Sequence, residues 1–223
     1  MNISDTKNTL PFSRFMEIVL YDDKFGYYKT KKNIFGHQGD FQTAPNLSPL
    51  FAQAFINDFV NIFNHSKKNI LEIGAGNGNF CLQLLRKFRE DQIQFDQYFI
   101  LESSEYLIEE SKKYLKSHLH AEDYEKVNWI LDIPQNYEGI IFLNEFFDAL
   151  PTNIYQKKEN ALYQKAVSIK DNELGCLMIK DSNEEIINSN FFSDLSDGYT
   201  FEFSPMYRSW THKIKGCLKK GAL

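Results

Sequence analysis

Between residues 69 and 78 an apolar run leads directly into three closely spaced glycines, Ile70-Leu71-Glu72-Ile73-Gly74-Ala75-Gly76-Asn77-Gly78. No other stretch constrains the fold as strongly. The four-residue run is the length of a short buried strand, and the segment behind it, Phe80 to Phe88, places Phe80, Leu84, Leu85 and Phe88 on one helical face. The alternation then repeats. Tyr98-Phe99-Ile100-Leu101 reads as a second strand, and Ser103 or Ser104 caps a helix carrying Leu107, Ile108, Tyr114 and Leu115. Val127–Ile130 and Ile140–Leu143 read as the third and fourth strands. Short apolar strands separated by amphipathic helices require right-handed crossovers, which predicts an α/β, doubly wound, mostly parallel sheet covered on both faces.

The flanks have a different texture. Residues 11–21 predict a short helix, with Pro11 at its start and Phe12, Phe15, Met16, Val19 and Leu20 on one face. The aromatic and glycine-rich stretch from Phe25 to Pro45 has no period and reads as loop; Ser48-Pro49 then opens a helix with a broad stripe from Leu50 to Phe63. After Pro151, Leu162–Ile169, Leu174–Ile179 and Tyr199–Phe203 read as antiparallel strands, with Asp171-Asn172 as a turn. A last helix starts at Ser204-Pro205 and carries Met206, Trp210, Ile214, Cys217 and Leu218 on one face, with Met206 and Trp210 expected in the core. The expected organisation is therefore an N-terminal helical and loop extension (1–68), a cofactor-binding core (69–150), a β-rich insertion (151–203) and a terminal helix (204–223).

Composition excludes several function classes. A net charge of −5, with no block of Lys or Arg, argues against nucleic acid as a partner. Three widely spaced cysteines, Cys81, Cys176 and Cys217, give neither a zinc pattern nor a disulfide framework, so no metal site is expected. No apolar run approaches the ~18 residues needed to span a bilayer. The Met1–Asp5 start has neither the basic and apolar segments of a secretory signal nor the Arg-rich character of a presequence. The expected location is cytoplasmic, or the mitochondrial matrix only for a chain whose presequence has been removed. His118 and His120 read as solvated loop residues, and His37 as a weaker functional candidate.

The glycine spacing selects the ligand. A dinucleotide fingerprint is G-x-G-x-x-G, whereas position 79 is Asn and the third glycine is Gly78, giving G-x-G-x-G with Glu72 two residues ahead. That form suits S-adenosyl-L-methionine, which has no pyrophosphate to seat on the helix N-terminus. Glu102 ends the second strand, where an acid can accept from a ribose diol. Asp132 ends the third, where it meets an adenine amine or caps a loop. The competing reading of the three glycines is a tight strand–helix turn with no ligand. At the end of the fourth strand stands Asn144-Glu145-Phe146-Phe147-Asp148-Ala149-Leu150-Pro151. Glu145 and Asp148, three apart at a helix start, would share a face toward the methyl acceptor; the alternative is stabilisation of a helix dipole. The absence of an Asn/Asp-Pro-Pro element here disfavours a nucleobase acceptor.

Taken together, these residues resemble the MidA-like family of S-adenosylmethionine-dependent methyltransferases, whose mitochondrial member is an assembly factor for respiratory complex I. The matching motifs are Phe12–Met16, Leu20-Tyr21, Gly26-Tyr27-Tyr28, Phe35-Gly36, Gly39-Asp40-Phe41-x-Thr43-Ala44-Pro45 and Ser48–Phe51, then Leu71–Gly78, Tyr98–Ser104 and Asn144–Pro151. The resemblance runs from about Leu10 to Leu223. It implies a class I, Rossmann-like methyltransferase acting on a protein arginine, with an NADH dehydrogenase subunit as the acceptor type. A catalytically weak assembly or binding module for a respiratory subunit, and a small-molecule methyltransferase, are the competing readings. By position it assigns Gly74, Gly76, Gly78 and Glu102 to the cofactor, with Asp40 and Thr43 on a covering loop; Glu72 joins them from its own place ahead of the turn, and the chemistry of holding a guanidinium makes Glu145 the candidate acceptor clamp, with Asp148 and Asn144 in support. Two departures are visible. Asn46 stands where relatives carry an acid, which removes one charge. The chain also ends at Gly221-Ala222-Leu223, where relatives continue; the reading is a sheet incomplete after its fourth strand, with Ile140–Leu143 an unpaired edge.

Overall fold

A computed structural model describes residues 9–29, 34, 39–170 and 173–223. Phe35-Gly36, His37 and the Asp171-Asn172 turn lie outside the described residues. The chain opens with strand β1 (Thr9–Pro11) and helix α1 (Phe12–Tyr21), then a 3-10 turn, Tyr27–Lys29. Three short helices follow: α2 (Ala44–Leu47), α3 (Leu50–Ala54) and α4 (Ile56–Phe63). The alternating region is β2 (Asn69–Ile73), α5 (Asn79–Glu90), β3 (Gln97–Leu101), α6 (Glu105–His118), α7 (Ala121–Tyr124), β4 (Val127–Ile130) and β5 (Tyr137–Leu143), closed by a 3-10 turn at Phe147–Ala149. Then come β6 (Asn153–Lys158), β7 (Ala161–Lys170), β8 (Glu173–Asp181), α8 (Glu184–Ile187), α9 (Asn190–Asp194), β9 (Thr200–Phe203), α10 (Pro205–Cys217) and β10 (Leu218–Ala222). Contacts divide the chain into two compact units: one takes residues up to Tyr27 and Leu150–Ser209, the other Tyr28–Ala149 and Trp210–Leu223. The segment read as one N-terminal extension is thus shared between them.

The second unit holds the parallel sheet, in the order β10-β5-β2-β3-β4. Its strands are apolar at successive positions because both faces are covered. Ile70, Tyr98, Ile100, Ile140 and Phe142 pack with the phenylalanines of α4 and α5, where Phe80 and Phe142 stack at 4.0 Å. Leu71, Ile73, Leu101 and Ile141 pack on the opposite side with Ile214 and Cys217 of α10. The doubly wound expectation holds.

The edge is where expectation and structure part. β10 runs parallel to β5, setting Leu218 against Tyr137 and Ala222 against Ile140, so the fourth strand of the parallel set is paired over Tyr137–Ile140, and of the expected bare stretch Ile140–Leu143 the register covers Ile140 alone. The fifth strand begins at Leu218, directly off α10, and two glycines let it approach. A Cβ on Gly221 would stand 1.8 Å from the Gly139 carbonyl oxygen, and one on Gly139 would stand 2.3 Å from that of Asn69.

The first unit is an antiparallel sheet in the order β1-β7-β6-β9, with β8 paired along β7. It confirms strands near the three β segments read from the pattern and adds three features that the pattern does not announce. β6 pairs with both β7 and β9. The N-terminal β1 joins the same sheet by pairing Leu10 with Val167. α8 and α9 interrupt the strands, burying Ile186 and Phe192 against Tyr155 and Leu162. Met206, expected in the core, is 37% exposed in the first turn of α10. The helix read from Leu50 to Phe63 is two helices broken at Phe55, and Leu50 is exposed.

Candidate functional site

The site is built at the carboxyl ends of β2, β3 and β5, all within one unit. β2 leaves the sheet at Ile73, and Gly74, Gly76 and Gly78 all adopt positive φ (76°, 55° and 80°), a conformation that side chains resist. Space is short as well: a Cβ on Gly78 would lie 3.3 Å from Leu115 and Ser111 of α6, and one on Gly74 would lie 3.1 Å from Phe146. The Gly74 N–H donates to the Leu101 carbonyl (2.9 Å), which ties the start of the turn to the end of β3.

Glu102 reaches across that junction. Its Oε1 accepts from the Ser103 and Ser104 N–H groups (2.8 and 3.0 Å), and its Oε2 from the Gly76 N–H at 3.3 Å. Burial raises its pKa above the ordinary carboxylate value, against the opposing pull of these three donors. Of about four lone-pair positions on a carboxylate, three are engaged, and the longest bond is the one to the glycine turn. Ser104 is a buried hub: its Oγ caps α6 by accepting from Leu107 N and donates to the Tyr28 carbonyl at 2.6 Å. Burial, followed by the charges of Glu102 and Asp148, raises the pKa of the Tyr28 phenol, so this ring lies within the field of both acids.

Glu72 stands behind the turn, not at its open face. It is 4% exposed, and its Oε2 accepts from Tyr98 Oη at 2.6 Å. Burial raises its pKa to about 7, opposed by the Tyr98 hydrogen bond and helped by the Glu102 charge. Asp132 is exposed; its Oδ1 pairs with Lys213 Nζ and accepts from the Ile133 N–H, and Lys213 lowers its pKa.

The stretch expected to be loop ends in the first residues of α2, and α2 is fastened to the glycine turn. Asn46 Oδ1 accepts from Asn77 Nδ2 (3.0 Å) and Asn79 Nδ2 (3.1 Å), while the Pro45 carbonyl accepts from Asn79 Nδ2 and Gln83 Nε2 (both 2.8 Å). Thr43 Oγ1 accepts from Asn46 Nδ2 at 2.9 Å. Thr43 is thereby linked to the turn through one residue; Asp40, just upstream, is exposed. Asn77 Oδ1 accepts from the Asn79 N–H at the start of α5. An anion seated on this helix end would compete with those amides, so the turn fits a nucleoside without a pyrophosphate better than a dinucleotide.

β5 brings the third set of candidates beside the turn, since Ile73 pairs with Leu143. Asn144 is half-buried, while Glu145 and Asp148 are exposed. Glu145 takes φ +54°, a strained conformation for a residue with a Cβ. No α-helix starts here. The single 3-10 turn at Phe147–Ala149 runs into Leu150-Pro151, and proline disfavours helical geometry in the residue before it. The shared helical face expected for Glu145 and Asp148 is therefore replaced by a tight turn. Phe146 packs between the turn and α10, edge-on to Trp210 at 4.7 Å. Pattern reading missed Asn46 as a contact, Asn79, Tyr28 and Phe146; only Ser104 gave a signal, as a helix cap.

Residues 50–223 match the sequence profile of a family described as "Putative S-adenosyl-L-methionine-dependent methyltransferase". The chain belongs to this methyltransferase family. The protein arginine methyltransferase NDUFAF7 homolog, mitochondrial, of Drosophila melanogaster is 25% identical, covering 94% of this chain and 50% of that protein. Its Caenorhabditis elegans counterpart is 27% identical over 81% of this chain and 48% of its own. The chain spans about half the length of these curated relatives. A Burkholderia thailandensis structure, described as a "likely methyl transferase" bound to S-adenosyl-homocysteine, superposes with a TM-score of 0.87 at 28% identity, covering 99% of this chain and 58% of that one. The class I, Rossmann-like fold expected of the methyltransferase family is the fold observed.

Proposed function

We propose that this chain binds S-adenosyl-L-methionine at the glycine turn and belongs to an enzyme that methylates an arginine of a protein, of the NADH dehydrogenase subunit type. The observation that carries the reading is the hydrogen bond from the Gly76 N–H to Glu102, which joins the tip of β3 to the glycine turn, and β2, which leads into that turn, pairs on its other side with β5, the strand that runs out to Glu145. Membership of the methyltransferase family and the relatives' description as protein arginine methyltransferases support it. Gly74, Gly76 and Gly78 leave room for close backbone approach, Glu102 offers its remaining acceptor capacity to a ribose hydroxyl, and Thr43 offers a hydroxyl. When bound, the cofactor supplies an electrophilic methyl group on a sulfonium.

The acids answer the difficulty of the acceptor. Arginine stays protonated, with a pKa above ~12, yet attack needs a nitrogen lone pair on the line of the methyl group. A carboxylate that holds the guanidinium bidentately concentrates positive charge at the held nitrogens and fixes the direction of the third. Glu145 is the proposed clamp, projected by its left-handed backbone, with Asp148 and the Asn144 amide beside it. The test is Glu145→Gln in the full-length protein, assayed with the radiolabelled cofactor and an arginine-containing subunit peptide. Methyl transfer should fall at least 100-fold with cofactor affinity intact. Retained transfer removes the clamp, and retained partner binding without any wild-type transfer favours a binding module.

A further inference from the structure

The polarity of the amide network around α2 is decided by one atom. The Pro45 carbonyl can only accept, so the Asn79 side chain must turn its Nδ2 toward it. That same Nδ2 reaches Asn46, which must therefore present Oδ1, and Asn77 Nδ2 meets the same oxygen. The Asn46 Nδ2 is left facing Thr43, whose Oγ1 accepts. A hydroxyl that accepts from one side keeps its own hydrogen for another partner. Tyr114 holds the far end by donating to Asn79 Oδ1 at 3.1 Å, and Asn77 Oδ1 is fixed by the Asn79 N–H.

We propose that Asn46 is a positioning residue: its oxygen anchors the glycine turn through Asn77 and Asn79, and its nitrogen aims the Thr43 hydroxyl hydrogen at an oxygen acceptor on the cofactor. This rests on the cofactor reading above. The amide serves two opposite polarities at once. An acid at this position keeps the first role and reverses the second, because Thr43 would then donate to the carboxylate and withdraw its hydrogen from the cofactor.

The experiment measures S-adenosyl-homocysteine affinity by calorimetry for the wild type and for Asn46→Asp, Thr43→Val, Thr43→Ser and the Asn46→Asp/Thr43→Val double variant, with thermal unfolding of each. Asn46→Asp should bind about tenfold more weakly at an unchanged unfolding temperature, and Thr43→Val should match it. Thr43→Ser should bind like wild type. In the double variant the two losses should not add, because both remove the same hydrogen. Hydrogen exchange at Gly74–Gly78 should be unchanged in Asn46→Asp and faster in Asn46→Ala, where the anchor itself is gone. Wild-type affinity in Asn46→Asp, or a full further tenfold loss on adding it to Thr43→Val, overturns the proposal while leaving the cofactor reading intact. Failure of the wild type to bind overturns both.

Discussion

Glu72 and Tyr98 share a 2.6 Å hydrogen bond in the closed interior behind the glycine turn. The Cys81 thiol lies close enough to contribute to the shift at Tyr98, and Glu102 is the other charge that Glu72 feels. A carboxyl so placed favours its proton. Its folded pKa, about 7, lies above the ordinary 4.5, so the folded state holds a proton that the unfolded chain has already released across that interval. Stability contributed by this group is therefore fully present below about pH 4.5 and lost as pH rises through 7, on the order of 3 kcal/mol in all. Glu72→Gln keeps an acceptor for Tyr98 and removes the titration. Urea unfolding from pH 4.5 to 8 should show the wild type losing stability relative to this variant, with the difference levelling above pH 7. Parallel pH profiles would contradict the assignment.

Lys157 is 6% exposed, and its Nζ donates to the carbonyls of Phe192, Ser193 and Leu195 at 2.9–3.0 Å. It closes the C-terminal end of α9, where cations are favoured and carbonyls lack helical partners. Lys157→Met leaves those acceptors without the ammonium and should cost about 2–4 kcal/mol. Denaturant melts would read the loss, and hydrogen exchange should place it at α8 and α9.

Gly221→Ala tests the edge of the parallel sheet. The added carbon would sit 1.8 Å from the Gly139 carbonyl oxygen at φ +137°, so the backbone must move and β10 must leave its register. Amides of Tyr137–Ile140 should lose exchange protection, and light scattering should show association through the uncovered strand. A variant that keeps the wild-type size with those amides protected would show that β10 does not cover this edge in solution.

Local chemistry made much of the parallel unit readable. Tyr98–Leu101 and Ile140–Leu143 are apolar at successive positions, and Ile70–Ile73 at all but Glu72, because sheets covered on both faces require it, and Ser104 caps α6 as a serine before an amphipathic run should. The same reasoning was blind to β1 and β6, whose partners lie far away in sequence; Leu10 meets Val167 only after the chain has folded. Asn46 makes the point most sharply. In the sequence it is a missing charge; in the fold it is an acceptor shared by two amides.

What the sequence determined by itself was the strand–glycine–helix grammar and the acids at the strand tips, because these follow from backbone freedom and hydrophobic period within a few residues. Only the tertiary structure decided that Glu72 faces inward to Tyr98, that β10 covers the edge beside β5, and that α2 grips the turn. Each of those depends on which distant groups share one small volume, and burial and hydrogen-bond polarity are properties of that volume, not of neighbouring residues along the chain.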